Sequence, residues 1–313
     1  MKITPENIRE MQCAKKFHEH TNRVNSIDYS VDGMNMISSS DDESIMIYNC
    51  QTGTKHRSLN SKKYGVDLIR FSHNVNDAIH CSTKVDDTIR YLSLHDNKYI
   101  RYFPGHTKKV VTLSMSPIDD SFLSSSLDKT IRLWDLRSTT CQGIMSLPNK
   151  AISAYDPEGL IFAAGVNSNH IKLYDLRSYD KGPFASFDFE PEINCEWTNI
   201  TFSPNGKTIL INTNGEHLRL IDSFGGTLIH TLTGHQNAKK LAMNGSYSPD
   251  SNFVFCGSSD ARIYSWCVDS GEIVASLPTQ HTNFLQHVAF NPRYYMMASA
   301  CQEVHLWVPQ DDE

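Results

Sequence analysis

The stretch Thr130–Ser138, TIRLWDLRS, is a short alternating run that ends on a Trp-Asp pair, and His170–Ser178, HIKLYDLRS, repeats it almost word for word. A catalytic motif gathers different groups on one substrate atom and is used once per active site, whereas a phrase repeated at fixed spacing is architecture. Aligned on the Trp of this phrase, the chain carries Tyr48, a degenerate site near Leu92, Trp134, Tyr174, Ile221, Trp266 and Trp307, spaced by 40 to 47 residues, so that seven copies fill it. A turn signal precedes most copies: Asp32-Gly33, Ser116-Pro117, Asp156-Pro157-Glu158-Gly159, Ser203-Pro204-Asn205-Gly206, Ser248-Pro249-Asp250 and Asn291-Pro292. In four copies the Pro lies seventeen residues before the aligned position. Several copies open with Gly-His or a relic of it, at Glu19-His20, Gly105-His106, Gly234-His235 and Gln280-His281, and His20 to Tyr48 and His106 to Trp134 both span twenty-eight residues.

Between these marks apolar residues alternate with period two, as in VVTLSMS and TIRLWDL, which predicts strands with one buried face. The one segment with a helical reading is TPENIREM, where Thr4 can cap and Pro5 can take the first helical position. The chain therefore reads as all-β and antiparallel.

Composition sets the outer bounds. The 313 residues are 39% apolar and 20% charged with a net charge of −6, enough for a large core and too mild a charge to name a partner. No run of eighteen apolar residues occurs, and the start MKITPENIREMQCAKKF lacks the apolar stretch and cleavage site of a secretory leader, so no membrane or export is expected. The eight cysteines, Cys13, Cys50, Cys81, Cys141, Cys195, Cys256, Cys267 and Cys301, contain no C-x-x-C pair, which predicts reduced thiols and neither a disulfide frame nor a metal site. The sequons at Asn199 and Asn244 are then chance matches.

These residues resemble the WD-repeat family, whose members fold as β-propellers with four strands per blade. Gly105-His106, Asp128 and Trp134-Asp135 together match the family pattern; the second repeat lacks a clear Gly-His, the fifth has Gly215 and the seventh Cys301 in place of the turn Asp. The resemblance implies a single seven-bladed propeller over residues 1–313. The last repeat stops six residues beyond Trp307, too early for a fourth strand of its own, while Gln12–Phe17 precedes the first repeat without a partner. Residues 1–17 are expected to form a short helix and then the strand that closes the last blade.

Histidine, serine and aspartate recur in every good repeat and would satisfy many searches for a hydrolase triad. The chain has no G-x-S-x-G elbow, phosphate-binding loop or H-E-x-x-H motif, so no catalytic residue and no cofactor are expected. The resemblance instead implies that His106, a strand hydroxyl such as Ser124 or Ser126, Asp128 and Trp134 form a hydrogen-bonded chain inside their blade, because a buried indole N–H and imidazole each need a partner. Arg137 and Arg177, each two residues after the Asp of the repeated phrase, match a mark carried by some WD-repeat receptors of cullin–RING ubiquitin ligases, where the Arg faces an adaptor. The plainer reading is an exposed Arg at the strand end, paired with its Asp.

In a propeller, the loops that lead into each blade's innermost strand gather at one mouth of the central channel. Here they carry Arg23, Lys62 with Lys63, Lys108 with Lys109, Lys150, and Lys239 with Lys240, with Tyr64, Trp197 and Phe284 beside them. Lysines on loops are usually only solvated; the sharper reading is a basic, aromatic-edged mouth for an extended phosphorylated peptide. Within the WD-repeat family the chain is similar to the propeller subunits of COMPASS-type histone lysine methyltransferase complexes, on the wording of FPGHTKKVVTLSMSPIDDSFLSSSLDKTIRLWDLRS above all. That likeness implies a non-catalytic nuclear adaptor, monomeric within a hetero-oligomer. Its partners would be a methyltransferase scaffold, a protein phosphatase one complex through its targeting subunit, and RNA polymerase II with a phosphorylated C-terminal repeat domain. No sequence-specific nucleic-acid contact is expected.

Overall fold

The computed structural model describes residues 2–310, and these form seven antiparallel sheets of four strands each. The third, around the repeated phrase, is typical. Val110–Met115 is its innermost strand, followed outward by Ser121–Ser126, Thr130–Asp135 and Gly143–Ser146. The turn residues predicted from sequence sit between first and second strands: Gly33, Gly159 and Gly206 hold φ of 66–72°, where a Cβ would be strained.

The alternating pattern has a different cause from the one expected. The second strand of each sheet is buried on both faces, not one: in Thr208–Thr213 all six residues are buried, and in Ser121–Ser126 the last five are, whereas outer strands such as Lys98–Phe103 keep one exposed face as expected. A propeller sheet is sandwiched between two neighbours, so the polar half of the alternation is also interior. Small hydroxyl residues fill it because they let adjacent sheets approach and can bond across the gap. Ser125 and Ser153 share a hydrogen bond of 2.6 Å between blades three and four, and within blade one Ser39 donates at 2.6 Å to Asn25, whose amide reaches across to the Val66 carbonyl of blade two at 2.9 Å.

The apolar core is accordingly divided among the seven junctions. Ile79, Phe103, Leu113, Phe122 and Trp134 join blades two and three, Ile152, Leu173, Ile200 and Ile211 join four and five, and Leu210, Leu220, Val254 and Trp266 join five and six. Ile209, Leu210 and Ile211 are each wholly buried although consecutive, since they point alternately to opposite neighbours.

The last sheet is built from both ends of the described chain. His287–Phe290, Met297–Ala300 and Val304–Pro309 are its inner three strands, and Met11–Phe17 is the fourth, paired antiparallel from Met11↔Pro309 to Phe17↔Val304 with a bulge between Cys13 and Lys15. Just before it, Pro5–Arg9 forms one helical turn with Thr4 as its cap and Pro5 in the first turn; Ile8 is wholly buried against Phe253 and Leu277 of blade six, and Arg9 donates to the Val274 carbonyl at 3.0 Å. The amino-terminal segment thus fastens blade seven and blade six together.

Deleting residues 1–17 exposes the edge of Val304–Pro309 and uncovers the apolar junction beneath Ile8 and Phe17, so the truncated chain is expected to aggregate or to be recovered mainly as insoluble protein. Size-exclusion chromatography and thermal melting check this; a soluble monomer with an unchanged melting temperature would contradict the role given to the closing strand.

Candidate functional site

Blade three holds the hydrogen-bond chain that its sequence suggests. His106 Nε2 lies 2.7 Å from Ser124 Oγ, which accepts the indole N–H of Trp134 at 2.8 Å, and His106 Nδ1 lies 2.9 Å from Asp128 Oδ2. The hydroxyl is that of Ser124; Ser126 donates instead to the Lys108 carbonyl at 2.7 Å. Burial opposes ionisation of Asp128, but bonds from Thr130, His106 and the Thr107 N–H outweigh it and hold the carboxyl at about 2. Trp134 is wholly buried and His106 nearly so, which leaves these groups no substrate to reach. The same eighteen-residue step from ring to hydroxyl recurs at His20–Ser38 and His281–Ser299, with Trp307 donating to Ser299 at 2.8 Å and Cys301 Sγ 3.3 Å from His281 Nδ1 where the Asp would stand. In blade six Cys256 occupies the serine's place and Asp260 accepts from Tyr264, so Trp266 turns its N–H to the Thr233 carbonyl and both nitrogens of the buried His235 are left without a partner.

The loops leading into the innermost strands converge as expected. Arg23, Lys109, Lys150 and Lys240 line one cavity of about 460 Å³ at the channel mouth, together with Asp67, Arg70 and Gln286. Lys62, Lys63, Lys108 and Lys239 are exposed on the same loops but do not line that cavity. The mouth is less uniformly basic than the count of lysines suggests. Arg23 pairs with Asp41 at 3.0 Å, Lys109 with Asp67 at 3.3 Å and Lys150 with Glu196 at 2.9 Å. Among the described residues, Lys62, Lys63, Lys108, Lys239 and Lys240 have no carboxylate within 4.0 Å, and Lys240 Nζ donates to the Asn194 carbonyl at 3.3 Å.

The aromatic residues behave differently from one another. Trp197 is corrected from the candidate peptide-binding set: at 2% exposure it belongs to the junction of blades four and five, edge-on to Phe189, because it starts an innermost strand whose side chain turns into the neighbouring sheet. Phe284 is half-buried with Lys239 Nζ 3.9 Å from its ring centre. Tyr64, also half-buried, carries the Arg90 guanidinium 3.6 Å from its ring centre, and the hydrogen bond from Lys63 lowers its hydroxyl pKa. Arg90 was not visible as a site residue in the sequence because it sits in a strand; it is 2% exposed and held by both carboxylate oxygens of Asp86 at 2.8–2.9 Å.

Arg137 and Arg177 lie at the other end of their blades. Asp135 pairs with Ser121, next to the turn between first and second strands, which puts the repeated phrase's end on the face opposite Lys108. Arg137 bonds Asp135 through Nε at 3.0 Å and a terminal nitrogen at 2.7 Å; Arg177 reaches Asp175 only through its backbone N–H at 2.8 Å. The exposed strand-end reading describes both, with the ion pair formed at Arg137.

Comparison with known proteins places these blades in a wider set. The family model "WD domain, G-beta repeat" matches residues 11–49, 97–135 and 226–267. The chain is 56% identical over 313 residues to WD repeat-containing protein 82 of Drosophila melanogaster, covering 100% of this chain and 99% of that protein. It is 33% identical to the Set1 complex component swd2 of Schizosaccharomyces pombe, covering 97% of this chain and 98% of that protein. It is 32% identical to the COMPASS component SWD2 of Saccharomyces cerevisiae, with 98% of each chain covered.

Two stability tests follow from the interior of the blades. Trp134→Ala removes a fully buried indole and strands Ser124 and His106, and is expected to cost about 3–5 kcal/mol, read by urea denaturation; a variant that melts like the parent but loses one partner would make Trp134 a binding residue instead. Acid should act through the histidines. Burial pushes His80 and His235 down to about 4 and His281 and His287 down to about 3, so the unfolded chain takes up protons near pH 6.5 that the fold refuses. Stability is therefore full above pH 6.5 and falls below it, by about 1–2 kcal/mol per histidine between pH 7 and pH 5. Equal urea midpoints at those two pH values would contradict the neutral, buried state of these rings.

Proposed function

Since this chain belongs to the WD-repeat family, in the group that holds WD repeat-containing protein 82 and the Swd2 components of Set1 complexes, we propose that it is a non-catalytic adaptor subunit of a nuclear histone lysine methyltransferase complex. The printed names of the relatives at 32–33% identity, a Set1 complex component and a COMPASS component, support the scaffold partner. A closed ring supports the adaptor role physically: it has two broad faces and a rim, only short outer sheet edges, and loops that vary without disturbing the strands.

In this reading the channel mouth engages the phosphorylated C-terminal repeats of RNA polymerase II, and the same propeller serves a protein phosphatase one complex through its targeting subunit. The observation that carries the peptide contact is the contrast among the mouth's cations. Arg23, Lys109 and Lys150 are already matched by carboxylates, whereas Lys62, Lys63, Lys108, Lys239 and Lys240 keep their charge free of any carboxylate within 4.0 Å among the described residues. A phosphate brings nearly two negative charges at neutral pH and accepts several hydrogen bonds, so free ammonium groups spread round a rim suit a peptide with several phosphates better than a compact anion. Each exposed pair contributes little, and affinity comes from several made together with the scaffold's own contacts.

Peptide binding by the intact assembly tests this. Phosphorylated repeats are expected to bind more tightly than unmodified ones, with the difference shrinking as salt is raised. Reversing Lys63 and Lys108 to Glu should weaken the phosphorylated peptide by about 3- to 10-fold, and Lys109→Gln, whose charge is already matched by Asp67, should do less. Equal binding of the two peptides, or indifference to the reversal, would overturn the phosphate reading while leaving scaffold membership to copurification.

A further inference from the structure

Blade five, like blade four with Ala164 in the place of Ser124, lacks the buried chain of blade three. Ile211 stands in the place of Ser124 and Gly215 in that of Asp128, so no ring-to-hydroxyl relay can form there. In its stead three chemically distinct donors meet: Cys195, from the loop before the innermost strand Trp197–Phe202; His217, which opens the strand His217–Asp222; and Glu192. Their Sγ, ring nitrogen and carboxylate oxygen all lie within 4.8 Å of one another, with Cys195 Sγ 3.9 Å and Glu192 Oε2 2.9 Å from His217 Nε2.

We infer that Glu192, Cys195 and His217 form a binding site for a divalent transition ion of the zinc type. Zinc takes thiolate at about 2.3 Å and imidazole or carboxylate at about 2.0–2.2 Å in a tetrahedron, which sets its ligand atoms roughly 3.3–3.7 Å apart. The two separations from His217 Nε2, 2.9 and 3.9 Å, fall on either side of that range and the third lies within 4.8 Å, so side-chain adjustment brings all three onto one ion. The mixture of one sulfur, one nitrogen and one oxygen suits zinc better than magnesium or calcium, which prefer all-oxygen shells. The cysteine thiol gives up its proton to solvent as the metal–sulfur bond forms.

Two independent features set this cluster apart from a chance gathering. Arg219, 8% exposed, binds the other oxygen of Glu192, as outer partners do for metal-bound carboxylates, and leaves Oε2 directed at the histidine. Gly215 lies directly over the group: a Cβ there would come within 3.1 Å of Cys195 Sγ and 3.4 Å of His217 Cε1, although its backbone is outside the left-handed region and makes no demand for glycine. The missing side chain keeps the approach open. A cavity of about 380 Å³ lined by Glu192, Cys195, Glu196 and Lys150 reaches two of the three donors. The other group of this kind, His281, Glu303 and His305, is accounted for by blade architecture, with His281 bonded to Ser299 and stacked 3.8 Å from His305.

Cobalt(II) titration of the full chain, purified in chelator and reductant and then exchanged, is the direct test. One equivalent should give a thiolate-to-cobalt charge-transfer band in the near ultraviolet, displaced by zinc. Cys195→Ser and His217→Gln should each abolish the band, Glu192→Gln should weaken cobalt binding by about 10-fold or more, and Cys301→Ser should leave it intact, with circular dichroism confirming the fold of each variant. His217→Gln carries the test if Cys195→Ser fails to fold. The absence of a thiolate band in the parent, its survival in both Cys195→Ser and His217→Gln, or its loss in Cys301→Ser would each overturn the assignment.

Discussion

Ile209 and Ile211 lean on blade four while Leu210, between them, leans on blade six, and all three are wholly buried. This arrangement, repeated round the ring, means that no blade owns a core. Each sheet offers both faces to its neighbours, and the apolar area that stabilises the protein exists only at the junctions, where burying one such side chain contributes about 1.5–3 kcal/mol. Everything else follows from having to complete that circle: the four-strand sheets, the small residues that let them approach, and the recruitment of Met11–Phe17 into a sheet whose other strands come from the far end of the chain.

Within that frame the buried polar groups decide which blades are interchangeable. Blade three has the whole relay from Asp128 through His106 and Ser124 to Trp134, and blade seven keeps it with a thiol in the carboxylate's place. Blade six retains the ring and the indole but has lost the hydroxyl between them, so His235 packs edge-on to Trp266 at 5.7 Å with neither nitrogen satisfied. Blade five has dropped the relay altogether. With Ile211 and Gly215 in the relay positions of blade five, the neighbouring Cys195, His217 and Glu192 meet beside the mouth, and the loop that bears Glu192 and Cys195 also receives Lys240 at Asn194 and sends Glu196 to Lys150.

The fold was legible because its marks are local. Trp134-Asp135, Gly105-His106 and the prolines before four of the aligned positions recur at distances that one blade fixes by itself, and the unpaired Gln12–Phe17 beside an incomplete last repeat pointed to closure. What the sequence hid depends on contacts between blades. Asp67 faces Lys109 from forty-two residues away and Glu196 faces Lys150 from forty-six, a blade's length in each case, so counting cations loop by loop overstated the basic field. Trp197 reads as a loop aromatic but begins a strand and turns inward. In the inner strands the alternation that suggested one wet face is instead a division between two dry ones, while outer strands such as Lys98–Phe103 do keep a wet face. Of the candidate site, the convergence of Arg23, Lys109, Lys150 and Lys240 on one cavity was readable, and the neutralisation of the first three was not.

The closing strand also sets a clock for synthesis. Met11–Phe17 leaves the ribosome well ahead of its partner Val304–Pro309, with all the intervening blades still to be made. At about 5–20 residues per second this interval lasts tens of seconds. For all of it the early strand has an open edge, and the first blade lacks the neighbour that will cover Val24 and Met36. The exposed and weakly apolar pattern of that strand, with Gln12, Ala14, Lys15 and Lys16 all outward, is what an edge needs while it waits: soluble, charged, and unattractive to any strand but its own. The same polar pattern serves the strand while it waits and afterwards, since in the closed ring it remains the outermost strand of its sheet.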